Sequence, residues 1–216
     1  WMLIVDEEAH EAPDLIDEAQ AAYARRTLVL EDRFEGNALG EAWQTQLSQR
    51  PGTRMEVKDG KVAIECLAHS SALATRSLPA GVTLVQCRID TGSDGGMTWG
   101  PGLALRWAGR FLRINLRTIE GRAGVDDGTN QWLTMAGIGP DTTYYVRLRL
   151  EPDKVCAEVS DDGEWWSPIH EVPRADFPGD PLQVSIGKMS GDGSSQDADA
   201  QPNPVGTCTI SDLKVY

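Results

Sequence analysis

Residues 98–118 (TWGPGLALRWAGRFLRINLRT) constrain the fold of this chain more than any other stretch. Apolar side chains recur at every second position, with Leu103, Leu105 and Trp107 in one arm and Leu112, Ile114 and Leu116 in the next. A period of two is the signature of a strand with one face in the core. Ala108-Gly109-Arg110 supplies the turn, so the stretch reads as a β-hairpin. Arg113, Asn115 and Arg117 fall on the opposite face, which the alternation predicts to be exposed. Guanidinium and amide groups displayed there suit a polar ligand.

The same period continues along most of the chain. Strands are predicted over 28–34, 43–47, 54–58, 61–67, 72–78, 82–91, 143–150, 154–160, 166–172, 182–189 and 208–216. Asp59-Gly60 is a two-residue hairpin turn, and Glu151-Pro152-Asp153 and Asp161-Asp162-Gly163 are further turns. One helix is predicted, over residues 11–26, from Leu15, Ile16, Ala19, Ala22 and Tyr23 at helical spacing. The expectation is an all-β antiparallel β-sandwich or jelly roll with one N-terminal helix. It divides into an extension over 1–27 and a sandwich domain over 28–216, with residues 191–204 read from composition as a loop.

Charge narrows the partners. A net charge of −13 repels nucleic acid and anionic membrane. The opening WMLIV is too short to span a bilayer. It reads as the stub of a removed signal or anchor, which points to export and to a piece of a larger protein. Cys66, Cys87, Cys156 and Cys208 each fall in a predicted strand, without zinc-ligand spacing. They read as buried small hydrophobes, the alternative being one disulfide in an exported chain.

The order of motifs resembles that of concanavalin A-like (laminin G-like) jelly rolls. Glu31-Asp32-Arg33-Phe34 followed by Trp43 is similar to their opening, and residues 55–62 (MEVKDGKV) to their W-x-V-x-D-G-x-L hairpin. Tyr144-Tyr145-Val146-Arg147-Leu148-Arg149, then Ser160-Asp161-Asp162-Gly163-Glu164-Trp165-Trp166, then the closing GTCTISDLKVY, complete the likeness over about residues 28–216. The resemblance implies two sheets packed face to face, one bent into a shallow concave surface, and carbohydrate binding or, less often, cleavage. It also implies a calcium ion at the edge, for which Asp32 and Asp212 hold the corresponding places. Laminarinase-like members carry their acids as E-x-D-x-E or E-x-D-x-x-E on one strand, and neither pattern occurs in this chain.

Written by parity, Arg88, Arg106, Arg113, Arg117, Arg147 and Arg149 share one sheet face with Asn115, Gln183 and Tyr145, if their strands are neighbours. The functional expectation is a glycan-binding face with Arg106, Arg113, Asn115, Arg117, Arg147 and Arg149 as donors and Trp99 or Trp132 as a stacking wall. The alternative is an outer face whose arginines pair across strands with acids such as Glu158. Trp165 and Trp166, being adjacent, must point to opposite sides. Asp126-Asp127 reads as an acidic pair in the loop after the hairpin. The preferred reading is a noncatalytic carbohydrate-binding or adhesion module whose partner is a polysaccharide. A second is a glycoside-cleaving enzyme using Asp126 or Asp127 with a distant acid, and a third is a structural domain that docks another protein.

Overall fold

A computed structural model describes residues 26–48, 52–66, 70–95, 100–189 and 206–216. In chain order the strands are β1 (Leu30–Asp32), β2 (Trp43–Leu47), β3 (Arg54–Lys58), β4 (Lys61–Cys66), β5 (Ala72–Ser77), β6 (Leu84–Asp90), β7 (Pro101–Trp107) and β8 (Arg110–Arg117). They continue as β9 (Arg122–Asp126), β10 (Gln131–Met135), β11 (Thr143–Leu150), β12 (Lys154–Ser160), β13 (Ser167–Pro173), β14 (Gln183–Lys188) and β15 (Gly206–Val215). The predicted helix falls almost wholly outside the described residues, as does the loop expected over 191–204.

Two antiparallel sheets form a sandwich. Sheet A runs β13-β12-β11-β6-β15-β4-β3 with β1 added on β15, and sheet B runs β10-β9-β8-β7-β14-β5-β2. Their inner faces make the core. Val85, Cys87, Ile89, Val146, Leu148, Ile210 and Leu213 from sheet A meet Leu103, Leu105, Leu112, Ile114, Leu116, Val184 and Ile186 from sheet B. Turn chemistry follows the sequence. Asp59 and Gly60 both adopt positive φ, 52° and 73°, the backbone that a two-residue turn between twisted strands requires. Trp107 pairs with Arg110 across Ala108-Gly109, which closes the predicted hairpin two residues tight.

Two strands were not expected. β9 and β10 replace the loop foreseen after the hairpin, and β9 pairs with β8 through Arg113↔Asp126, Asn115↔Gly124 and Arg117↔Arg122. Gly121, Gly124 and Gly128 interrupt the apolar alternation there and hide it. At this side the sandwich is closed by β10 against β13. Thr134 Oγ1 donates to the Ile169 carbonyl at 3.1 Å, and the Trp132 ring stacks on His170 at 4.3 Å.

The strand order corrects one expectation directly. β6 and β11 are neighbours in sheet A, whereas β7, β8 and β14 belong to sheet B. The six arginines therefore do not share a face. Arg106, Arg113 and Arg117 lie on the outer face of sheet B, while Arg88, Arg147 and Arg149 belong to sheet A. Parity along single strands was right, but parity cannot say which strands pair.

Candidate functional site

Sheet B concentrates positive charge in an acidic chain. Its strands carry Arg76, Arg106, Arg110, Arg113, Arg117, Arg122 and Lys188 against a single acid, Asp126. The strands of sheet A are balanced, with eight basic and eight acidic residues. Strand alternation sends Arg106, Arg113, Asn115, Arg117, Arg122 and Asp126 of sheet B away from the core. Arg76 and Lys188 point inward with Val184 and Ile186.

This outer face is not open, contrary to the alternation. Arg113 and Asn115 are 0 % exposed and Arg117 is 1 % exposed. Leu73, Ala104 and Met189 form a small apolar cluster on the same side. The Arg113 Nε donates to Asp126 Oδ2 at 3.0 Å, its Nη2 to the same oxygen, and its Nη1 to the Met189 carbonyl at 2.5 Å. Arg106 Nε donates to Ser185 Oγ at 2.7 Å, and Ser185 in turn shares a 2.7 Å hydrogen bond with Thr75. A polar seam thus crosses β9, β8, β7, β14 and β5. Burial pushes the Asp126 carboxyl above its ordinary range, against the opposing pull of Arg113. Burial likewise lowers the Arg117 guanidinium, and the positive charges of Arg113 and Arg122 act in the same direction.

Between these side chains the floor is made of glycine. In register across the sheet, Gly124 faces Asn115, Asn115 faces Gly102, and Gly102 faces Gly187. A Cβ on Gly124 would lie 2.6 Å from Arg117 Nε and 2.7 Å from Asn115 Oδ1. Glycine is therefore what lets the Arg117 guanidinium approach β9 so closely. Asp126 Oδ1 and Arg117 Nε and Nη2 are buried without a hydrogen-bond partner among the described residues. A group left unmet in this way costs about 1–3 kcal/mol.

The other expected site residues do different work. Arg147 and Arg149 converge on Glu158 of the neighbouring strand, with Arg147 Nε at 2.5 Å and Arg149 Nη2 at 2.9 Å. The Arg147 guanidinium also lies 4.0 Å from the centre of the Trp166 ring. This is the cross-strand ion cluster of the structural reading. Burial alone would raise the Glu158 carboxyl, but Arg149 and Arg147 outweigh it and hold it below the ordinary value. Stability from that depression is present above the usual glutamate value of 4.5 and is lost as pH falls through the lower folded value. Glu158→Gln is expected to lose about 2 kcal/mol at pH 7 and to show a flatter decline between neutral and acid pH, measured by urea denaturation across that range.

Asp127 forms the β9–β10 turn rather than facing the sheet. Its Oδ1 accepts from the Thr129 and Asn130 amides at 2.8 and 2.6 Å. These bonds outweigh a partial burial that pushes the other way, and the carboxyl is held below its ordinary range. Trp132 sits in register with Val125 on the inner side, with one ring face taken by His170, and so offers no wall to the outer face. Trp99 lies outside the described residues. Trp165 is the exposed member of its pair, at 62 %, while the Trp166 indole donates to the Gly163 carbonyl.

Asp32, one of the two acids expected to hold calcium, is already engaged by protein donors. Asp32 Oδ1 accepts from the Phe34 amide, and Oδ2 accepts from Trp43 Nε1 at 2.7 Å and Arg76 Nη1 at 3.2 Å. A carboxylate that already serves a guanidinium and an indole is a poor hard-cation ligand. Among the described residues no three His, Cys, Asp or Glu side chains gather where a metal could be held. The four cysteines are buried and free. No helix among the described residues is long and apolar enough to cross a membrane.

Asn115, Arg117 and Arg113 were found from the sequence by alternation. Arg122 was missed, because its strand was read as a loop. The signal available was Arg122-Ala123-Gly124-Val125-Asp126, a five-residue alternation between two glycines.

No protein-family model and no curated protein matches the chain. Among solved structures, a laminarinase of Flavobacterium sp. UMI-01 is similar in fold, with a TM-score of 0.61 at 15% identity over 88% of this chain and 100% of that one. The catalytic domain of an endo-1,3-beta-glucanase (laminarinase) of Thermotoga petrophila RKU-1 gives 0.57 at 10% identity, over 88% and 97%. The GH43 protein BlXynB of Bacillus licheniformis gives 0.61 at 11% identity, over 86% of this chain, which spans only 39% of that protein. Likeness at such identities is likeness of architecture, and the chain accordingly has the concanavalin A-like jelly-roll fold that laminarinases and other glycosidases share.

Proposed function

We propose that this domain binds carbohydrate without cleaving it, through the outer face of sheet B. The fold it shares with glycosidases supports a carbohydrate-related role. One observation favours binding over cleavage. Glycoside hydrolysis uses two carboxyl groups flanking the scissile bond, about 5–9.5 Å apart. The strands of sheet B contain one acid, Asp126, and Arg113 holds it with two N–H groups. In place of a second carboxyl the face presents the partly exposed Arg106 and Arg122, donors that suit hydroxyl and carboxylate oxygens. A polysaccharide outside the cell is the partner this reading calls for, and an exported location follows from it.

The test pairs two measurements on the same protein. Retardation in gels containing polysaccharide is expected for at least one glycan, and no new reducing ends are expected from any of them. Steady release of reducing ends, above all one that Asp126→Asn abolishes, would overturn the noncatalytic part. Absence of retardation on all glycans would overturn the binding part.

A further inference from the structure

Arg117 and Arg122 stand directly opposite each other on β8 and β9. Like charges in that relation repel, and an antiparallel ladder brings them close enough for the repulsion to matter. Asp126 is four register positions away and is engaged by Arg113. Glu120 forms an ion pair with Arg117, its Oε2 3.8 Å from Nη1, but at that distance it accepts no hydrogen bond. Three N–H-bearing atoms of the pair, Arg117 Nε and Nη2 and Arg122 Nε, are buried with no partner among the described residues. Gly124 adds to the arrangement, since any side chain there would strike Arg117 Nε.

We propose that Arg117 and Arg122 form a subsite for an oxyanion substituent, the carboxylate or sulfate of an acidic glycan. Resting on the carbohydrate-binding reading, this names its ligand class. An oxyanion set between the two guanidinium groups would accept the orphaned N–H groups and cancel the repulsion in one step. Two guanidinium groups offer more donors than one uncharged hydroxyl can use, so a neutral sugar would leave part of the set unmet. The approach is from this end of the face, where a ligand would shift the partly exposed Arg122 side chain to reach the buried N–H groups. Arg122, Gly121 and Glu120 are partly exposed and Ile119 is 59 % exposed, whereas Arg113 and Asn115 further along are closed.

The experiment compares three probes of equal length by calorimetry at fixed ionic strength: an oligogalacturonate, a sulfated galactan oligosaccharide and a neutral β-1,3-glucan oligosaccharide. At least one anionic probe is expected to bind about tenfold or more tightly than the neutral one. The relative affinity of the uronate and sulfate probes identifies which oxyanion the subsite takes. Arg122→Gln is expected to abolish the anionic preference, with the melting temperature unchanged or higher because it removes a like-charge contact. Arg117→Gln should do the same, and the partly exposed Arg122 keeps the test open if the Arg117 variant does not fold. Equal binding of all three probes, or an undiminished anionic preference in Arg122→Gln, overturns the subsite while the carbohydrate-binding reading stands. Failure of every probe to bind overturns the subsite, and the carbohydrate-binding reading is then decided by the polysaccharide gels.

Discussion

Replacing Lys188 by methionine is expected to cost about 3–5 kcal/mol, the usual result of breaking a buried ion pair from one side. Lys188 ends β14 on its inward face, in line with Val184 and Ile186, and is completely buried. Its Nζ donates to Asp94 Oδ1, and Asp94 is 1 % exposed. Burial by itself would lower the Lys188 ammonium, but the Asp94 carboxylate outweighs it and raises it above the ordinary lysine value. Methionine fills much of the lysine volume, so the loss comes from removing the carboxylate's buried cation rather than from a cavity. A second variant isolates that cause. Lys188→Met with Asp94→Leu removes both charges and is expected to recover at least half of the loss, since buried pairs replaced as a pair are often neutral. Urea denaturation at pH 7 of the three proteins measures this. Equal stability of the single and double variants would show that the pair contributes through shape alone.

Arg113→Ala is expected to be comparably severe, again about 3–5 kcal/mol, because it strips Asp126 of its ion partner inside a closed face. Asp126→Asn should cost less, about 1–2 kcal/mol, since the amide keeps the volume and Arg113 retains the Met189 carbonyl. Linkage adds a distinguishing signature. A carboxyl whose folded pKa is raised favours the folded state most below its unfolded value of 3.8, and that advantage disappears as pH rises through the folded value. Removing Arg113 raises the folded value further. The deficit of Arg113→Ala relative to the natural protein should therefore be largest at pH 7 and shrink toward pH 4, while Asp126→Asn, which has nothing to titrate there, keeps a more even deficit. Denaturation midpoints at those two pH values check it. A pH-independent deficit for Arg113→Ala would mean that Asp126 is not ionised in the folded protein.

These two variants also bear on the glycan experiments. Arg113 is an anchor of the sheet, so a loss of binding in its absence would report unfolding as much as recognition. Arg122, at the accessible end and carrying none of the seam's hydrogen bonds, separates the two.

The alternation of Leu112, Ile114 and Leu116 against Arg113, Asn115 and Arg117 was enough to place each residue on its side of β8, because a strand's period of two is a local property of the backbone. The same holds for the hairpin turns at Asp59-Gly60 and Ala108-Gly109, where the demand for positive φ is met by the residue itself. Fold class followed from these local facts and from the order of motifs. Pairing did not, since which strand lies beside which depends on contacts far apart in sequence. Only the tertiary structure separated Arg147 and Arg149 from Arg113 and Arg117, and gave the first two to Glu158. Nor could alternation reveal that the polar side of β8 is buried, for period two says that two faces differ and is silent on what covers each. Arg122 faced Arg117 only once β9 was seen to pair with β8, and that juxtaposition, a long-range consequence of sheet assembly, is what turned a row of arginines into a candidate site.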